Sequence, residues 1–182
     1  MDLERPFRFD RIPDNLLREP LDYLVADHYR QQRLCDALDL LVLSPECPAA
    51  ALTAAAIVEY LVAEFPLHIA DEETDLFPRL RARCLPADDV GDLLDGLEQD
   101  HAADTSLARG IASYLADYPS RQSGAGIPKF ERLANAFVLT ERRHLAMEAD
   151  LLVPLARRRL SAEDLEQIGR AMAARRQTDF PA

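Results

Sequence analysis

Residues 68–80 read HIADEETDLFPRL and residues 144–156 read HLAMEADLLVPLA. Each segment opens on a histidine, places a glutamate four residues later, and continues through a Leu/Val-containing stretch to a proline, Pro78 or Pro154. On an α-helix, positions i and i+4 lie on one face a turn apart. His68 with Glu72, and His144 with Glu148, therefore each aim an imidazole and a carboxylate in one direction. The other two histidines of the chain, His28 and His101, fall on two further apolar stripes.

Working outward, the stripes define the helices. The first helix starts near Pro20, a good first-turn residue, and carries Leu21, Leu24, Val25, His28, Cys35, Leu38 and Val42 at helical spacing until Ser44–Pro48 breaks it. The second runs from about Ala49 to Arg83 through Ile57, Tyr60, Leu61, Phe65, His68, Glu72 and Leu76. Pro66 and Pro78 predict a kink or a split within it. A turn over Leu85–Asp88 leads to the third, with Val90, Leu94, Leu97, His101, Ala108, Ile111 and Leu115. After a loop over Tyr118–Ile127, containing Pro119, Gly124 and Gly126, the fourth shows Phe130, Leu133, Phe137, His144, Glu148, Leu151 and Leu155. Ser161-Ala162-Glu163-Asp164 reads as a capping box for a short fifth helix ending near Arg176. The expected fold is all-α: an up-down-up-down antiparallel four-helix bundle over residues 20–176 with a short C-terminal fifth helix, after an irregular lead-in over 1–19 with room for one helical turn.

Composition agrees. The 182 residues are 48% hydrophobic, enough for one domain with a substantial core, and the six glycines all follow residue 90. The net charge of −11 argues against a nucleic-acid partner and against an anionic membrane surface. No apolar run is expected to approach the roughly 20 residues of a membrane span. Cys35, Cys47 and Cys84 form no paired motif, which suits a reducing compartment. The charged N-terminus MDLERPFRFDRIPDN reads as no secretory signal. The expected location is the cytoplasm.

A single histidine on an apolar stripe is more often a satisfied core residue than a ligand. Here every bundle helix contributes one. The gaps between them, 40, 33 and 43 residues, return the chain to a similar depth after each up-and-down pair. Burying Glu72 and Glu148 without a cation would be costly. Four imidazoles and two carboxylates, His28, His68, His101, His144, Glu72 and Glu148, are therefore the candidate ligands for two first-row metal ions. Glu64 shares the face of His68 and Glu72 and is weighed between a supporting or channel-lining role and a solvated one. Asp100 and Asp104 flank His101 and are read as surface residues. Glu98 and Glu141 make E-x-x-H spacings with His101 and His144, a ferritin-like alternative that leaves His28 and His68 unexplained. Cys35 is read as core packing, and Arg157–Arg159 as charge suited to a helix C-terminus.

The segments ADHYRQ around His28, HIADEETDLFPRL from His68, EQDHAAD around His101 and HLAMEADLLVPLA from His144, with the tail LSAEDLEQIGRAMAARR, resemble the hemerythrin-like, HHE cation-binding family over roughly residues 15–176. That resemblance implies a non-haem di-iron centre, two iron ions inside a four-helix bundle. His28, His68, His101 and His144 would be terminal ligands and Glu72 and Glu148 bridges. The family's oxygen carriers use five histidines and an aspartate at a spacing that Asp104 does not match. The four-His, two-Glu pattern is more similar to family members that repair iron–sulfur centres or handle nitric oxide. The implied partner is a small molecule: oxygen, peroxide or nitric oxide. Three functions stay open: a di-iron protein reacting with small oxidants, a non-enzymatic oxygen or iron sensor signalling through a protein partner or a homodimer, and a helical interaction module with vestigial histidines.

Overall fold

The computed structural model of the chain describes residues 7–118 and 127–181. Residues 1–6 of the lead-in, and Pro119, Gly124 and Gly126 of the expected loop, lie outside the described residues. Most of the described residues are helical, with no strand among them. After a 3₁₀ turn at Asp14–Arg18 come α1 (Pro20–Leu43), α2 (Ala50–Ala63), α3 (Phe65–Ala70), α4 (Phe77–Arg83), α5 (Val90–Leu115), α6 (Ile127–Met147), α7 (Val153–Arg159) and α8 (Ala162–Arg175). The α2–α4 stretch is the expected second helix and α6–α7 the expected fourth.

Two compact units are built from these helices. One contains Arg11–Tyr29, Leu67–His101 and the described residues from His144 onward. It gathers the start of the first long helix, the end of the second, the start of the third and the end of the fourth. The other gathers the complementary parts, the described residues within 7–10, 30–66, 102–118 and 127–143. Starts and ends alternate within a unit only when consecutive helices run antiparallel, so the four long helices run up, down, up and down, and the short α8 follows them.

In the unit that holds all four histidines, the core is Leu17, Leu21, Leu24, Leu76, Phe77, Leu80, Leu94, Leu97, Leu152, Ile168 and Met172, each nearly or fully buried. The helix α8 starts on the expected box: Ser161 accepts from the Asp164 N–H at 3.2 Å, and Asp164 accepts from the Ser161 N–H at 3.0 Å. This satisfies two donors that a helix N-terminus otherwise leaves free. In the other unit, Phe65 meets Phe137 edge-on and Tyr114 stacks on Phe130.

The prolines act as expected in α2–α4, and in a third place as well. The chain turns at Glu64 ahead of Pro66, and π-helical turns occupy Asp71–Leu76 and Glu148–Leu152. Phe77 N–H bonds to the Glu72 carbonyl and Val153 N–H to the Glu148 carbonyl, each five residues back. Pro78 and Pro154 follow at once; with no N–H to give and a ring that crowds the carbonyl four residues earlier, they favour such a loosened turn. The extra residue rotates what comes after it. Leu152 is buried and Leu151 is 54% exposed, which corrects the stripe expected for the fourth helix. Val25, placed on the first stripe, is also exposed.

One further expectation is corrected. The helical run Ala50–Arg83 is long and apolar enough to cross a membrane by length and composition alone. Its alanine-rich start hides the run from a search for bulky residues. Its buried positions Ala50, Thr53, Ala54, Ile57, Tyr60, Leu61 and Phe65 recur at helical spacing, as in the core helices of water-soluble proteins. Its later part carries buried His68, Asp71, Glu72 and Asp75.

Candidate metal centre

Each histidine arrives on the face its stripe predicts. His28 on α1, His68 on α3, His101 on α5 and His144 on α6 are buried, and Glu72 and Glu148, each within a π-helical turn, are fully so. The six side chains form two overlapping quartets, His28–His68–Glu72–Glu148 and Glu72–His101–His144–Glu148, each with its ligand atoms within 4.8 Å of one another. The two glutamates belong to both quartets. Glu72 approaches His28 Nε2 at 3.6 Å, His68 Nε2 at 3.5 Å and His101 Nε2 at 3.2 Å. Glu148 approaches His28 Nε2 at 3.3 Å and His144 Nε2 at 3.1 Å. The rings pair accordingly, His28 with His68 and His101 with His144.

These atoms are poorly satisfied by the protein alone. Nε2 of His28, His68 and His101 and all four carboxylate oxygens of Glu72 and Glu148 are buried without a hydrogen-bond partner. A buried polar atom left without a partner costs about 1–3 kcal/mol, and seven are gathered here. Something must compensate: protons on the rings or cations between them. Burial alone would raise the Glu72 carboxyl, but the imidazoles of His68, His101 and His28 outweigh it and hold the group well below the ordinary range. Burial favours a neutral His68 ring, yet Glu72, Asp27 and Glu148 push it up to about 10. His101 and His144 are raised against the same burial by Glu72 and Glu148. Mixed nitrogen and oxygen donors, two carboxylates shared between two sets of imidazoles, suit a pair of first-row divalent ions. The donor set fits the metal.

The outer contacts were largely missed by the sequence reading. Asp27 Oδ2 lies 3.3 Å from His68 Nδ1, and Asp100 Oδ2 lies 3.9 Å from His144 Nδ1. Glu73 Oε1 is hydrogen-bonded to His101 Nδ1 at 2.9 Å. The recurring signal was an aspartate immediately before a histidine, Asp27-His28 and Asp100-His101. Asp100 was expected at the surface; it is one of these contacts. Asp104 was expected there too; it is buried and bonded to Thr140, because three residues past His101 it shares the inward face.

Other candidates fall elsewhere. Glu64 is in neither quartet; it pairs with Arg30 at 2.5 Å in the unit without the histidines. Glu98 is half-exposed and pairs with Arg81 at 3.1 Å, and Glu141 is buried; neither joins a quartet. The ferritin-like set therefore does not assemble. Cys35 is fully buried, and burial, then Glu141, pushes its thiol above the ordinary range, as suits core packing. At the end of α7, Arg157 pairs with Asp22 and Arg159 with Asp88.

Comparison with known proteins agrees with this geometry. The family model described as hemerythrin HHE cation binding domain matches residues 19–170. An uncharacterized protein of Haemophilus influenzae is 31% identical over 163 residues, 87% of this chain and 91% of that protein.

Proposed function

Because the chain belongs to the hemerythrin HHE cation-binding domain family, we propose that its six converging side chains hold two iron ions and that the centre reacts with a small oxidant: oxygen, peroxide or nitric oxide. The observation that carries this reading is the pair of quartets sharing Glu72 and Glu148, with seven buried ligand atoms that lack a hydrogen-bond partner. His28 and His68 would hold one ion and His101 and His144 the other, with Glu72 and Glu148 available to both. A bound iron pair supplies two adjacent redox-active metals to a ligand small enough to enter.

The chain's own residues set the conditions. Burial of Glu72 and Glu148 places their charges where an incoming cation is strongly favoured. Phe77 stacks parallel to the His101 ring at 5.8 Å between centroids and covers its face. Leu76 and Leu152, each four residues after one of the two glutamates, are fully buried in the hydrophobic core of the same unit. With four histidines and no fifth, neither quartet has a spare imidazole to block one metal, so we read the centre as reactive rather than as a reversible carrier. The free thiols at Cys35, Cys47 and Cys84 support a reducing, cytoplasmic setting.

The test is metal content followed by a spectral cycle. The purified protein is loaded with iron, reduced without oxygen, exposed to oxygen, then evacuated. The expected result is about two iron ions per chain and oxidation that evacuation does not undo. Recovery of the reduced spectrum without added reductant would show a carrier. Failure to take up iron would remove the di-iron reading.

A further inference from the structure

The two halves of the centre follow one pattern until Glu73 breaks it. Asp27 precedes His28 and serves His68; Asp100 precedes His101 and lies by His144. His68 and His144 each have a glutamate four residues on and a proline six residues after that. The residue after Glu72 is Glu73, whose carboxylate bonds to His101 Nδ1 at 2.9 Å. The residue after Glu148 is Ala149, which has no side-chain acceptor. The π-helical turn at Asp71–Leu76 carries Glu73. It sends three successive acids to three places: Asp71 to Arg176, Glu72 to the imidazoles, Glu73 to His101.

We propose that Glu73 is a positioning residue that makes the two metal sites unequal, fixing His101 with Nε2 toward Glu72 so that a divalent ion binds first and more tightly at the His101–His144 quartet. The inference rests on the two-metal reading above and deepens it. An imidazole that ligates through Nε2 must carry its proton on Nδ1. A carboxylate accepting that proton selects the tautomer, fixes the ring and makes Nε2 a stronger donor; losing such a partner typically costs 10–100-fold in metal affinity. Glu73 acts through the ring of His101, not on the metal. Its side chain is 39% exposed, so the core does not depend on it.

Anaerobic titration with cobalt(II), whose visible bands report each occupied site, tests the proposal. Wild-type protein should fill in two resolved steps. His101→Ala should abolish the tighter step and His28→Ala the weaker. Glu73→Ala should weaken only the tighter step, by about 10–100-fold. Glu73→Gln, which keeps an acceptor without the charge, should fall between, and circular dichroism of the metal-free variants should match wild type. Simultaneous filling in wild type, an unchanged tight step in Glu73→Ala, or a change confined to the step that His28→Ala abolishes would each overturn the proposal. Uptake of neither cobalt nor iron by wild type would instead sink the two-metal reading beneath it.

Discussion

Asp71 stands one residue before Glu72, and its Oδ2 accepts a hydrogen bond from Arg176 Nη2 at 2.5 Å. Arg175 also donates to Asp71, and to Asp75 Oδ2 at 2.6 Å. Arg176 donates to the Tyr23 hydroxyl at 2.9 Å and lies over that ring. The end of α8 is thereby tied to α1 and to the π-helical turn that carries Glu72. Asp71 is fully buried, so removing it leaves Arg176 without its carboxylate partner and Arg175 with Asp75 alone. Asp71→Ala is expected to destabilise by about 3 kcal/mol, or roughly 6–12 °C in Tm for a chain of this size. A thermal melt of metal-free protein measures it, and a shift under about 2 °C would show that the contact contributes little.

Which glutamate serves the metal can be read from a matched pair of variants. Glu148→Ala should lower bound iron well below two per chain, since Glu148 lies in both quartets. Glu98→Ala should leave iron near the wild-type level and lose only a half-exposed pair with Arg81, worth about 0–1 kcal/mol. Iron per chain by elemental analysis distinguishes them, and the reverse order would restore the ferritin-like arrangement.

The helices and the six converging side chains were legible because both depend on one period. Hydrophobic positions 3–4 residues apart define a face, and the four histidines share those faces with the core. What periodicity cannot see is a change of period. The π-helical turns exposed Leu151, buried Leu152 and sent Glu73 to His101, and only the prolines six residues past Glu72 and Glu148 hinted at them. Partners on other helices were equally hidden. Asp104 bonds to Thr140, 36 residues away, and Glu64 is paired by Arg30; neither separation corresponds to a helical spacing.

Glycine offers a test of packing with a predicted sign reversal. A Cβ on Gly169, inside α8, would meet the Leu17 carbonyl oxygen at 2.1 Å and a Phe180 ring carbon at 2.9 Å. A Cβ on Gly96, inside α5, would meet nothing within 4 Å. Alanine is favoured over glycine in a helix by about 0.5–1 kcal/mol. Gly96→Ala should therefore stabilise by about that amount, while Gly169→Ala should destabilise by about 1–3 kcal/mol because the 3₁₀ turn at Asp14–Arg18 must move. Denaturant midpoints of the two variants give the signs, and stabilisation by Gly169→Ala would mean that the turn yields freely.

The last expectation concerns pH, and it separates the metal-free from the metal-loaded centre. In metal-free protein, His68 is held up to about 10, and His101 and His144 are raised as well. The unfolded chain releases these protons near pH 6.5. Groups raised on folding stabilise fully below the unfolded value, and that contribution is lost as pH rises through the folded one. Glu72, held low, contributes above about pH 4.5 and loses its share only as the solution becomes more acid. Metal-free protein should therefore lose Tm steadily from about pH 6.5 to about 10. A bound cation requires neutral rings, so loading must release protons and its apparent affinity must rise across the same window. The gap in Tm between loaded and metal-free protein should widen with pH. General repulsion in a chain of net charge −11 would also lower Tm in base, but it acts on every variant alike. His68→Gln, with no ring proton to lose, should show a shallower decline than wild type when both are metal-free. Equal slopes for the two proteins would mean that the buried His68 is neutral before metal arrives.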